Sequence, residues 1–551
     1  MNITFDRYHD YAELTEILKT VEATYPDLCR LESIGKSYEG RDIWMLEVTN
    51  RKTGEGKDKP AVYADANTHA GEVTGCEVIL YTIKMLVEGY GNDPQITHIL
   101  DTRTFYFIPR ITVDGSDYYL HTPHALRSSM RPWPDEVDEK KGLVPEDVDG
   151  DGKILTMRVP DPNGAWKVSD KDPRLMVRRR PDETGGTYYS VYTEGRLVDS
   201  DVVVVKQAPS RYGLDFNRNY PTNWALPVRQ RGSGDYPFSE PEMKAVGDFY
   251  ISHPNIVTSM AYHTSGGFIL RPLCTRRESE MPQEDREIYR AVGERAEEIT
   301  GYPCRPVFEW FTLNQDKPEV GSDLEWVYET LGILAFETEL WDMAGRAGIP
   351  KRPLHAYRGL SEKEREEDAL KLLKWNDEVM GGKLFHPWRP FDHPDFGLVE
   401  IGGWEPKFGR QNPPLELLED ELKKNAPFNL TRALITPLLV VESFRAKAVG
   451  DGFYKLEAVI KNEGYLPTHG TFQALKMNAA KPVRVRLELS GGAELVSGRD
   501  EFDAGHLGGR AGGGDHKKKF SWVVRSAPGG RAAVTAWCPR AGKARRELEL
   551  G

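Results

Sequence analysis

The hydrophobic period of this 551-residue chain changes once, and the change limits what the chain can fold into. Up to about residue 379, short apolar runs alternate with stretches of helical spacing. From Leu430 onward the apolar positions alternate residue by residue, in runs broken by Gly and Asn. The first pattern belongs to an α/β unit, where a buried strand is followed by a helix that covers it. The second belongs to an all-β sandwich of roughly immunoglobulin size.

Within the α/β part, Leu14, Ile17, Leu18 and Val21 predict a helix over 11–23. Strands are expected at 28–34 and 43–49 with a hairpin turn between them, then at 61–65, 105–111, 256–262 and 332–340. Helices are expected at 73–87, 282–299 and 361–379, the last with Ser361 as N-cap and Glu364 closing a capping box. Residues 131–205 are rich in Pro, Asp, Gly and Arg, have little periodicity and read as a long insertion. The expected order is therefore a domain over 1–390 carrying that insertion, a Pro- and Gly-rich connector over 391–429, and a β-sandwich over 430–551.

The formal net charge of −12 argues against a general nucleic-acid binder. No window approaches the roughly 18–20 apolar residues that span a bilayer, so no membrane partner is expected. The N-terminus carries no basic stretch followed by an apolar one. The five cysteines are scattered and odd in number, which suits free thiols in a reducing, cytoplasmic compartment.

The chemistry gathers at strand ends. His69 and Glu72 follow the apolar run 61–64, and His263 ends a second run, Ser259-Met260-Ala261-Tyr262. Two nitrogens and one carboxylate leave a tetrahedral Zn²⁺ one open position, as a catalytic zinc requires. In Leu334-Ala335-Phe336-Glu337-Thr338-Glu339-Leu340 two acids interrupt an apolar strand, an expensive burial unless the acids have work or partners. An acid beside such a zinc serves as general base. The loop 213–221 contains Asn217-Arg218, an amide and a guanidinium fork suited to a carboxylate.

Together these residues resemble the M14 family of zinc carboxypeptidases, over roughly Tyr8 to Val379. Ile34 to Ile43 is similar to the family's N-terminal hairpin, Val113-Asp114-Gly115 to its Asp-Gly turn, and Gly321-Ser322 with Glu325-Trp326 to its specificity loop. The resemblance implies a mixed β-sheet flanked by helices. It implies Zn²⁺ on His69, Glu72 and His263, Glu339 as general base, and a terminal-carboxylate clamp at Asn217 and Arg218. The family's oxyanion arginine falls on Arg127 or Arg131, and the implied substrates are peptide or protein C-termini. The chain departs from the family in three places. No tyrosine precedes Gly321-Ser322, Gly71 stands where an arginine is common, and the specificity loop is one residue longer. In that loop Asp323 suits a basic terminal residue and Leu324 an apolar pocket. A zinc amidase acting on peptidoglycan peptides would use the same parts, and a non-catalytic binding protein with the sandwich as working module is the reading from another class.

A second metal is expected in the insertion. Asp147, Asp149 and Asp151, with Gly152 and Ile154, match the first half of an EF-hand-type Ca²⁺ loop. The twelfth position is Arg158 rather than an acid.

Overall fold

The computed structural model describes residues 3–134, 141–199, 204–512 and 514–551. Its centre is an eight-stranded mixed sheet of β1 (Cys29–Lys36), β2 (Asp42–Val48), β3 (Ala61–Ala66), β4 (Thr104–Ile108), β5 (Ile256–Thr264), β6 (Phe268–Arg271), β7 (Cys304–Pro306) and β8 (Leu334–Leu340). The order is β1-β2-β4-β3-β5-β8-β6-β7. β3, β5 and β8 are parallel neighbours and buried along their whole length. They read as continuous apolar runs because helices cover both faces of such a sheet. Running side by side, they end at one edge, where crevices for ligands form in open α/β sheets.

Helix Thr74–Gly89 opens directly after the loop that leaves β3. Gly75 lets it lie against the sheet, since a Cβ there would stand 2.7 Å from Tyr262 Cβ and 2.8 Å from Ala66 Cβ. Helix Glu362–Met380 begins with the expected Ser361–Glu364 capping box. All five cysteines are buried and free, and no described helix is long and apolar enough to cross a membrane.

Two stretches differ from the sequence expectation. The irregular insertion is folded: Thr156–Pro160, Trp166–Val168, Met176–Arg178 and Tyr189–Thr193 join the hairpin Phe385–His393/Gly397–Trp404 in a six-stranded antiparallel sheet. The start of the expected connector, through Trp404, is therefore largely strand, and 135–140 and 200–203 of the insertion lie outside the described residues. The strands are short and partly exposed, so they leave no apolar alternation to read. Helix Pro427–Ile435 belongs to the α/β core, with Arg432 buried against the Tyr63 carbonyl of β3 and Phe428 in the core. The sandwich accordingly starts at Leu439 rather than at 430. It consists of two four-stranded antiparallel sheets closed around Leu456, Val485, Trp522 and Val534.

Candidate active site

Asn67, in the left-handed region at φ 56°, turns the chain out of β3 toward His69; asparagine tolerates that conformation better than most residues. His69, Glu72 and His263 meet there, each offering a ligand atom within 4.8 Å of the others. Glu72 Oε1 lies 2.8 Å from His69 Nδ1 and Oε2 lies 2.9 Å from His263 Nδ1. The two Nδ1 atoms are 3.1 Å apart. Two imidazole nitrogens and a carboxylate facing one point form the donor set that Zn²⁺ takes in catalytic sites, so the residues fit the ion. Burial would raise the Glu72 carboxyl, but His69 and His263 together hold it well below the ordinary range.

Asp215, to which the sequence reading gave no role, sets the His69 ring. Its Oδ1 lies 3.1 Å from His69 Nε2, which leaves Nδ1 for the cluster, and its Oδ2 accepts from Arg127 Nε at 2.9 Å. Such an outer carboxylate fixes ring orientation and tautomer. Burial opposes its charge, yet Arg127, Arg218 and His69 keep its carboxyl well below the usual value. Its one signal in the sequence was a position two residues before Asn217, where it caps the short turn Phe216–Arg218.

The two arginine candidates separate. Arg127 Nη1 reaches to 3.5 Å from Glu72 Oε1, and its carbonyl accepts from Ala70 N at 2.8 Å. Arg131 is not brought to the cluster. It donates twice to the buried Glu240, at 2.9 and 2.7 Å, and to Asp235 at 3.2 Å. This corrects Arg131 to a structural ion pair, since leaving Glu240 buried without its partner would be costly.

β5 and β8 pair in parallel with His263 opposite Glu339. Burial, then Glu72, pushes the Glu339 carboxyl up to about 8. Glu337 instead accepts from Asn217 Nδ2 at 3.2 Å, and Asn217 Oδ1 accepts from Asp323 N at 2.8 Å. Asn217 is thus oriented from both ends of its amide. Arg218 donates to the Asn217 carbonyl at 2.5 Å and to the carboxylate of Glu319. Leu324 packs into the core instead of flooring a pocket. Asp323 is 1% exposed, and burial, then Asp65 and Glu337, holds its carboxyl well above the ordinary range.

Away from this edge, Asp147, Asp149 and Asp151 also bring oxygens within 4.8 Å of one another. Backbone N–H groups of Asp151, Gly152 and Lys153 already donate to them, and Arg389 lies 2.9 Å from Asp151. Arg158, at the twelfth position, pairs with Glu400.

A family model described as "Zinc carboxypeptidase" matches residues 14–352, and one described as "Domain of unknown function (DUF8731)" matches 438–549. A zinc carboxypeptidase of Saccharothrix mutabilis subsp. capreolus is 37% identical over 127 residues, 23% of this chain and 28% of that protein. Carboxypeptidase M of Mus musculus is 36% identical over 109 residues, 20% of this chain and 25% of that protein. The chain therefore spans about a quarter of the length of either relative. Among solved structures, carboxypeptidase A from Helicoverpa armigera superposes with a TM-score of 0.40 at 16% identity, covering 69% of this chain and 76% of that one.

Proposed function

This chain belongs to the M14 zinc carboxypeptidases, whose family model covers more than half of it, and from that membership we propose that it removes the C-terminal residue of peptides or proteins with a zinc ion on His69, Glu72 and His263. When bound, Zn²⁺ supplies Lewis-acid polarisation of the scissile carbonyl and acidifies water. Arg218, oriented beside Asn217, exchanges Glu319 for the substrate's terminal carboxylate, a match for its two-pronged donor set. As water adds to the scissile carbonyl, Arg127 donates to the developing oxyanion from beside Glu72. Glu339 takes the proton from that water and returns it to the leaving amine as the C–N bond breaks.

The observation that carries this reading is the register of β5 and β8, which sets Glu339 beside the ligand His263 at the edge where the Asn217–Arg218 turn crosses. Glu339→Gln is expected to keep its zinc while turnover on unblocked peptides falls by roughly a hundredfold to ten-thousandfold. Near-wild-type turnover in that variant would remove Glu339 from the mechanism. Wild-type cleavage of C-terminally amidated peptides as fast as free ones would remove the clamp, and cleavage of muropeptides alone would favour the amidase reading. We further propose Ca²⁺ as the ion for the Asp147–Asp149–Asp151 loop, supported by its clustered oxygens.

A further inference from the structure

A cleft of about 620 Å³ opens beside the ligand cluster, and its charged lining is Glu72, Arg127, Asp342, Lys351 and Arg410. Four of these are paired, Arg127 with Glu72 at 3.5 Å and Lys351 with Asp342 at 2.6 Å. Arg410 is exposed and forms no ion pair among the described residues.

The backbone that carries Arg410 is fixed. It lies in the turn Pro406–Gln411, which is kinked at Phe408. Trp341 Nε1, at the end of β8, donates to the Gly409 carbonyl at 2.7 Å, and the Tyr119 hydroxyl donates to Gln411 Oε1 at 3.1 Å. Asn412 Nδ2 donates at 2.8 Å to the carbonyl of Gly71, between the two zinc ligands of the first loop. A Cβ at Gly71 would lie 2.8 Å from Tyr119 Cε2 and 2.9 Å from Gln411 Nε2, so the glycine lets the turn seat this closely.

Arg218 lines a different cavity, of about 500 Å³, which it shares with Arg127, Asp215 and Glu319. Arg127 lines both cavities, so with the terminal carboxylate of a peptide on Arg218, the 620 Å³ cleft is the neighbouring space in which the residues before the scissile bond would lie. The geometry points to Arg410 as a specificity residue that selects peptides with an acidic side chain upstream of the scissile bond, an inference that rests on the carboxypeptidase reading and names its substrate class. Residues 406–411 lie beyond the 14–352 matched by the family model, so this selectivity would come from the chain's own extension.

The test uses full-length protein and peptides that share one terminal residue, with Glu, Gln or Lys scanned through the positions preceding it. Wild-type protein, Arg410→Gln and Arg410→Glu are compared by kcat/KM. Binding of the same peptides is measured by calorimetry in the Glu339→Gln background. Wild type is expected to favour Glu over Gln by about tenfold at one position, the scale of a single charge pair. Arg410→Gln should level the ranking, and Arg410→Glu should turn it toward Lys. The same ranking in all three proteins would overturn the role of Arg410. Absence of turnover on every peptide would instead count against the carboxypeptidase reading, while the binding series would still decide on Arg410.

Discussion

Arg218 and Glu319 form an ion pair in which the guanidinium is largely covered while the Glu319 side chain is 69% exposed. The glutamate therefore stands on the outer side of the proposed clamp, where a terminal carboxylate would arrive. An exposed pair of this kind is worth about 0.2–1 kcal/mol. Glu319→Gln is accordingly expected to lower KM for unblocked peptides by at most about fivefold with kcat unchanged. A KM that stays or rises would show that Glu319 does not compete for the clamp. At this scale His263 and Glu339 were legible because each ends or breaks an apolar run, where a polar residue needs a reason, and His69 and Glu72 because they follow one at a spacing of three. Arg127 and Arg131 were not separable, since four residues in an irregular loop do not reveal which side chain turns toward Glu72 and which toward Glu240. Arg410 was invisible: it stands in a Pro- and Gly-rich stretch, and contacts distant in sequence, among them those of Trp341, Tyr119 and Asn412, bring it to the cleft.

Among the elements, the strands that carry the site were readable because burial on both faces leaves an unbroken apolar run. The six-stranded sheet was not, because its pairing joins residues far apart in the chain. Arg158 illustrates this, donating to Glu400 at 2.8 and 3.0 Å and lying 4.5 Å above the Trp388 ring, all across strand partners or distant sequence. The Asp147–Asp151 turn feeds into this sheet, and Glu194 holds it from below by accepting from Val148 N and Leu155 N at 2.8 Å. Burial, and after it Asp151 and Asp147 as like charges, raises the Asp149 carboxyl. A divalent cation would relieve that repulsion and rigidify the sheet. Ca²⁺ at millimolar concentration is expected to raise the unfolding temperature of the wild type and to leave an Asp147→Asn/Asp149→Asn variant unmoved. A titration with neither heat nor thermal shift in the wild type would dismiss the ion and leave a turn held by its own backbone hydrogen bonds.

At the scale of the whole molecule, the sandwich is docked onto the turn that launches the Glu339 strand. Arg540 Nη1 donates to the Gly332 carbonyl at 2.8 Å and Nη2 to Leu331 at 2.6 Å, while Thr471 Oγ1 donates to Gly332 at 2.7 Å. Asp285 accepts from Phe472 N at 2.6 Å and from Gln473 N at 2.9 Å. His469 lies in this seam, with Nδ1 2.9 Å from the Thr471 carbonyl and its ring 5.4 Å from that of His506. The cavity beside it is also lined by Glu284, Glu287, Asp515 and Lys518. Burial, opposed by the Thr471 contact and aided by His506 and Arg540, brings the His469 pKa from 6.5 down to about 4. The folded protein thus keeps His469 neutral where the unfolded chain protonates it. The linked stability is complete above pH 6.5 and is lost as the pH falls toward 4, by up to about 3 kcal/mol. Glu242 and Glu325, pushed up to about 7 by burial, act with the opposite sign, gaining stability as the pH falls. The measurable quantity is therefore a difference between wild type and His469→Gln. Urea midpoints of the two proteins should converge or cross as the pH drops through this window, because only the wild type has the histidine to protonate. Curves that stay parallel from neutral pH downward would mean that His469 does not titrate in the seam, and that acid does not loosen the support of the Glu339 strand from this side.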